Sequence, residues 1–228
     1  MVVMLSLGAS AIWSVISFLR KLQAAGGLAA STTTINRPLA ETPWLDLISQ
    51  LASIGLGLVP VALAIYLLSL DSIGIGLRPK LRDLLQVLVV AAVVGIPGIG
   101  LYFWALELGL TSQVVPSALN ENWWTIPILL LAALKAGLLE EVVAVAFFTE
   151  KVRKFRPEIS ALVLIFASAL FRASYHLYQG YSAFIGNFVM GLIFAYWYHR
   201  SKRVAPLVMA HFLMDAVVFI GYPLVFGS

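Results

Sequence analysis

Long uninterrupted apolar runs are the feature that most restricts what this chain can fold into. They occupy residues 2–19, 44–70, 84–108, 124–148, 159–177, 183–198 and 205–226. A helix needs about 20 apolar residues to cross the roughly 30 Å of hydrocarbon in a bilayer. The runs do not alternate as barrel strands would, and an open strand cannot satisfy its backbone in lipid, so helix is the available solution. The expected fold is therefore all-α, a polytopic transmembrane bundle of about seven spans, or eight if the second run is split. Pro60, Pro97 and Pro127 lie inside runs and are expected to bend them.

Composition supports a lipid environment. The 228 residues are 61% hydrophobic and 11% charged, against roughly half apolar and a quarter charged in soluble domains. No internal repeat or low-complexity segment divides the chain, which reads as a single integral membrane domain over residues 1–228. The run at 2–19 has no basic residue before it and no clear cleavage site, so it is expected to be a retained span, not a signal peptide. The absence of cysteine excludes disulfides, thiolate metal sites and a cysteine nucleophile.

Basic residues cluster in alternate connectors. Arg78, Lys80 and Arg82 lie in 71–83, Lys151, Arg153, Lys154 and Arg156 in 150–158, and Arg200, Lys202 and Arg203 in 199–203. Connectors 109–122 and 178–182 contain none. This asymmetry reports topology and gives no reason to expect nucleic acid as a partner. It predicts a multi-pass cell-membrane protein with the N-terminus cytoplasmic and the C-terminus outside. Arg20, Lys21 and Arg37 oppose that orientation, because they would lie on the outer side.

Removing loop charges leaves Lys135, Glu140, Glu141, Arg172, His176, His211 and Asp215 within the runs. Each costs at least about 2.5 kcal/mol at membrane depth on insertion scales, so such groups face a bundle interior and act there. Arg172 and His176 are four apart, as are His211 and Asp215, so each pair shares a helix face. Adjacent Glu140 and Glu141 point to neighbouring faces. Paired carboxylates with two imidazoles can activate water and support an oxyanion, with Asp215 fixing the tautomer of His211. The same donors would suit zinc, through Glu140, His176 and His211, although the helical His-Glu-x-x-His motif is absent. A buried ion-pair network or a proton relay would use the same residues.

Other polar and aromatic residues have simpler readings. Lys135 suits snorkelling or structural pairing, and His199 an interfacial helix end. Trp123, Trp124, Trp197 and Tyr198 suit interfacial anchoring. Gly186 and Gly191 fit close helix contacts, and Asn187 either an interhelical hydrogen bond or a site role.

The segments Glu140-Glu141-Val142-Val143-Ala144-Val145, Phe171-Arg172-Ala173-Ser174-Tyr175-His176 and His211-Phe212-Leu213-Met214-Asp215 together resemble the motifs of the CAAX-protease and bacteriocin-processing (CPBP, or Abi) family of intramembrane endopeptidases. Leu177-Tyr178-Gln179-Gly180 and Gly186-Asn187 also resemble its bacterial members. The similar region is about 124–226.

The resemblance implies hydrolysis of peptide bonds in membrane-associated proteins or peptides, within the bilayer and open toward the cytoplasm. Glu140 and His176 would activate water, His211 and Asp215 would support the oxyanion, and no cofactor would be required. Glu141 and Arg172 would support the site. Val145 stands where the family motif carries arginine, and Arg172 where it carries phenylalanine. The arrangement suggests that Arg172 replaces the missing cation and pairs with Glu141. Straight helices with the boundaries above would leave His176 deeper than His211. The rival reading is a non-enzymatic transporter or regulatory scaffold that keeps a degenerate motif.

Overall fold

The structure, a computed structural model, describes residues 1–222. Seven helical segments among them follow the apolar runs: α1 (Met4–Gln23), α2 (Pro43–Leu70), α3 (Asp83–Glu107), α4 (125–155), α5 (Ala161–Gln179), α6 (Tyr181–Ser201) and α7 (Ala205–Gly221). Helices α1, α2, α3 and α5 are long and apolar enough to cross a membrane, and α7 is a shorter apolar helix. The molecule is a helical membrane protein. The end of the seventh expected run, Phe226, lies outside the described residues.

Several boundaries differ from expectation. Helix α2 breaks at Leu58 but resumes at once with Val59 and Pro60, so the second run is one interrupted segment. Pro97 sits within a continuous helix. Pro127 falls in the first turn of α4, where a missing N–H costs nothing and no bend is required. Residues 150–155, read as part of a connector, instead extend α4. Their apolar and basic residues separate onto opposite helix faces, so the helix continues past its lipid-like portion.

To the predominantly helical fold the structure adds one short pair of strands. Strand β1 (Thr32–Asn36) pairs in parallel with β2 (Gln113–Ser117), with Thr33 opposite Val114. β-Branched residues fill four of the five positions of β1 and two of those of β2, and they favour extended backbone once outside the apolar helices.

These strands belong to one end of the bundle. Thr111 bridges to Gly180, whose φ of +120° and close approach to Thr111 admit no side chain. Lys21 donates to Thr33 Oγ1, to Ser112 Oγ at 2.9 Å and to the Tyr178 carbonyl at 2.9 Å. One of the three residues that oppose the charge rule is thus committed to joining β1, the segment before β2 and the end of α5. The opposite end holds the basic connectors. There Lys151 and Lys154 each lie 2.5 Å from Asp71, Lys202 lies 2.6 Å from Glu150, and Arg203 grips both oxygens of Asp83.

Two registers bring the central residues level. Helices α4 and α5 form a hairpin about the turn at 156–160, where Ser160 Oγ accepts the Val163 N–H and caps α5. Glu140 lies sixteen residues before Arg156 and His176 sixteen after Ser160. Nine residues separate Lys202, just before α7, from His211 within it, the same spacing as Glu141 to its anchor Glu150. The extension of α4 carries the 156–160 turn six residues, about 9 Å of helix, beyond that anchor. This removes the depth mismatch expected for His176 and His211.

Candidate active site

Within α4 the backbone changes form over Glu140–Phe147, which is π-helical. The wider i→i+5 turn is a frequent mark of functional positions in α-helices. It lets adjacent carboxylates find different helices. Glu140 turns to α5 and Glu141 reaches both α5 and α7. Ser168 of α5 donates to the Ala144 carbonyl at 2.8 Å, securing the same stretch.

Glu140 Oε2 accepts the Tyr175 hydroxyl at 3.0 Å and lies 3.3 Å from His176 Nε2. Arg172 Nη1 lies 3.6 Å from the same oxygen. An aromatic series orients these groups. Phe148 stacks on Phe171, Phe171 meets Tyr175 edge-on, and Tyr175 lies 4.8 Å from the His176 ring.

Glu141 Oε1 is a junction. It accepts from Arg172 Nη2 and lies 2.7 Å from His211 Nδ1. Arg172 therefore pairs with Glu141 across the hairpin, as the substitution at Val145 suggests, and its guanidinium also covers the Phe194 ring. His211 Nε2 faces Asp215 at 3.5 Å. The shorter contact, and hence the stronger hold on the imidazole tautomer, comes from Glu141. Asp215, expected from its spacing to fix that tautomer, makes the longer contact.

Exposure grades across the cluster. The side chains of Glu141 and Arg172 are 0% and 1% exposed, those of Glu140, His176 and Asp215 11%, 18% and 25%, and that of His211 7%. An ionic floor thus underlies a more open rim. Glu141 Oε2, Arg172 Nε and Nη1, and His176 Nδ1 are buried with no hydrogen-bond partner among the described residues. Unpaired buried polar atoms are rare and demand an account. No three His, Cys, Asp or Glu side chains among the described residues are arranged to hold a metal ion.

Two contributors escaped the sequence reading. Tyr175 is one residue from a singled-out histidine, but only the hairpin register turns its hydroxyl to Glu140. Gly137 lies one turn before Glu141, and a Cβ there would come within 2.9 Å of the Val208 carbonyl. Its lack of a side chain lets α4 touch α7 and brings His211 into range.

The remaining sequence candidates lie elsewhere. The stem of Lys135 lies against Gly57 of α2. Asn187 bonds to the Ala183 carbonyl in its own helix, not to another. His199 Nδ1 pairs with Arg153 at the basic end. Trp123 is exposed as an anchor would be, whereas Tyr198 is fully buried and is not one. Gly191 does sit at a close helix contact, against Ala169.

The three motif segments therefore converge in space as one cluster. Residues 122–217 match the family described as type II CAAX prenyl endopeptidase Rce1-like. This match is consistent with the CPBP family read from the motifs. The Rce1-like region takes in α4 to α7 almost entirely, and with them each of the clustered residues. It supports a protease-type function and a hydrolase of the CAAX-protease kind. No curated protein and no solved structure matches the chain.

Proposed function

We propose that this protein is an intramembrane endopeptidase of the CPBP type that hydrolyses peptide bonds in membrane-associated proteins or peptides. The observation that carries this reading is the contact of Glu140 Oε2 with His176 Nε2 at 3.3 Å, on the open side of a buried ionic floor. Glu140 takes a proton from water as its oxygen attacks the scissile carbonyl, and His176 shares that water and delivers a proton to the leaving amine. His211, held through Nδ1 by Glu141, presents its other nitrogen beside Asp215 to the oxyanion when it is the imidazolium. Arg172 keeps Glu141 in place. The chemistry requires no cofactor. The protein lies in the cell membrane with its basic end cytoplasmic, so the N-terminus is cytoplasmic and the C-terminus outside. Its partners are the substrate chain and the bilayer.

Glu140→Gln, assayed in liposomes against a panel of membrane peptides, is expected to lower cleavage at least about a hundredfold, the lower range for acid–base catalysis, while the protein stays folded. Wild-type rates in that variant would remove Glu140 from the mechanism. A chelator is expected to leave the rate unchanged, and a chelator-sensitive rate would reassign the water to a bound metal such as zinc.

A second reading has its own support. The Glu141, Arg172 and His211 contacts join α4, α5 and α7 with almost no exposure, as a scaffold would. A wild type that cleaves nothing in the panel would favour this non-enzymatic reading.

A further inference from the structure

At the basic end, the carboxyl end of α2 and the connector after it border an open apolar groove of about 530 Å³. This falls within the roughly 300–1,000 Å³ of small-molecule sites. Ile65 of α2 and Ile73 and Leu77 of the connector line it, together with the buried Leu68. Arg78, Lys80 and Arg203 stand at its edge.

The three cations are not equivalent. Arg203 holds Asp83 through contacts of 2.6 and 2.7 Å and also donates to the Arg78 carbonyl. It fixes the connector and its charge is matched. The exposed side chains of Arg78 and Lys80 enter no ion pair among the described residues. Leu81, directly after Lys80, is 91% exposed, and Leu84 and Leu85 at the start of α3 are also exposed. Apolar side chains facing outward beside unpaired cations place this connector at the level where hydrocarbon meets headgroups.

The groove wall is built rather than loose. The connector is hydrogen-bonded to the start of α7, Val204 N–H to Ile75 O at 2.8 Å and Ala205 N–H to Gly76 O at 3.2 Å. An apolar slot with two free cations at its mouth complements one kind of molecule, an amphiphile with an anionic head.

We infer that this groove binds an anionic phospholipid, with an acyl chain against Ile65, Ile73 and Leu77 and its phosphate at Arg78 and Lys80. The site is independent of the proposed peptidase chemistry, and it needs no residue of the Glu140 cluster.

The test uses full-length protein in neutral detergent, titrated with phosphatidylglycerol or phosphatidylcholine, with bound lipid read by native mass spectrometry. Phosphatidylglycerol should bind about tenfold more tightly or better, since each basic residue near an anionic surface contributes on the order of 1 kcal/mol. The preference should vanish in the Arg78→Gln/Lys80→Gln double variant, whose exposed positions leave the fold intact. Ile73→Trp, which fills the slot and keeps both cations, should weaken binding of phosphatidylglycerol. Equal binding of the two lipids by the wild type would overturn the proposal. So would an undiminished preference in the double variant, or inorganic phosphate competing at the lipid's own affinity.

Discussion

Arg172 of α5 and Glu141 of α4 form a buried ion pair across the helical hairpin, at 1% and 0% side-chain exposure. Arginine remains charged in any such setting, so the pair stands or falls as a unit. Arg172→Met leaves Glu141 without its cation and is expected to destabilise the protein by about 3–5 kcal/mol. Adding Glu141→Gln should recover part of that loss. Unfolding of the two single variants and the double variant in detergent measures the coupling, and additive effects would contradict it.

Tyr175→Phe removes the hydroxyl that donates to Glu140 at 3.0 Å while keeping the ring in its aromatic series. A hydrogen bond to a charged group contributes roughly 1.5–3 kcal/mol, so turnover should fall about tenfold to a hundredfold, with helix content unchanged. Activity equal to wild type would mean that Glu140 does not depend on this donor.

Gly137→Val tests how α4 and α7 meet. A branched side chain there must push against the Val208 carbonyl, which a Cβ alone would approach to 2.9 Å. The expected cost is about 1–3 kcal/mol. Because the displaced helix carries His211, catalysis should fall further than stability. A spin-label distance between α4 and α7 would register the shift, and an unchanged distance would refute the contact.

Asp71 supplies a pH dependence at the basic end. Hydrogen bonds from Lys151 and Lys154 hold its carboxyl below the usual carboxylate range. A folded value below the unfolded one, about 3.9, adds stability above that pH and loses it as pH falls through the depressed folded value. Melting temperature should therefore drop more for wild type than for Asp71→Asn between pH 6 and pH 3. Parallel curves would show that the pairing contributes nothing.

Much of this site was legible in residue type and spacing. The pairs Arg172 with His176, and His211 with Asp215, each at four residues, put side chains on common faces, and the misfit at Val145 pointed to Arg172. The share-out of His211 between Glu141 and Asp215 was not legible, because it depends on how far α7 slides along α4. That offset is set by Lys202 on Glu150 and by the absence of a side chain at Gly137. The π-helical stretch leaves no mark in an apolar sequence such as Val142–Phe147. A charge rule counts Lys21 as a free cation, whereas its ammonium is bound to Ser112 Oγ and to the Tyr178 carbonyl, contacts that a sequence count cannot see.

The parallel pairing of β1 and β2 has a consequence for how the chain is made. Thr32 meets Gln113, a partner synthesised after both α2 and α3. Two parallel strands cannot join through a tight turn, and here the crossover is the α2–α3 hairpin itself. The pairing can close only when that hairpin has inserted and returned the chain to the side it left. A nascent protein halted before Gln113 would leave the β1 edge unpaired. Closure of the strand pair therefore requires both α2 and α3 to have been made and folded back on one another.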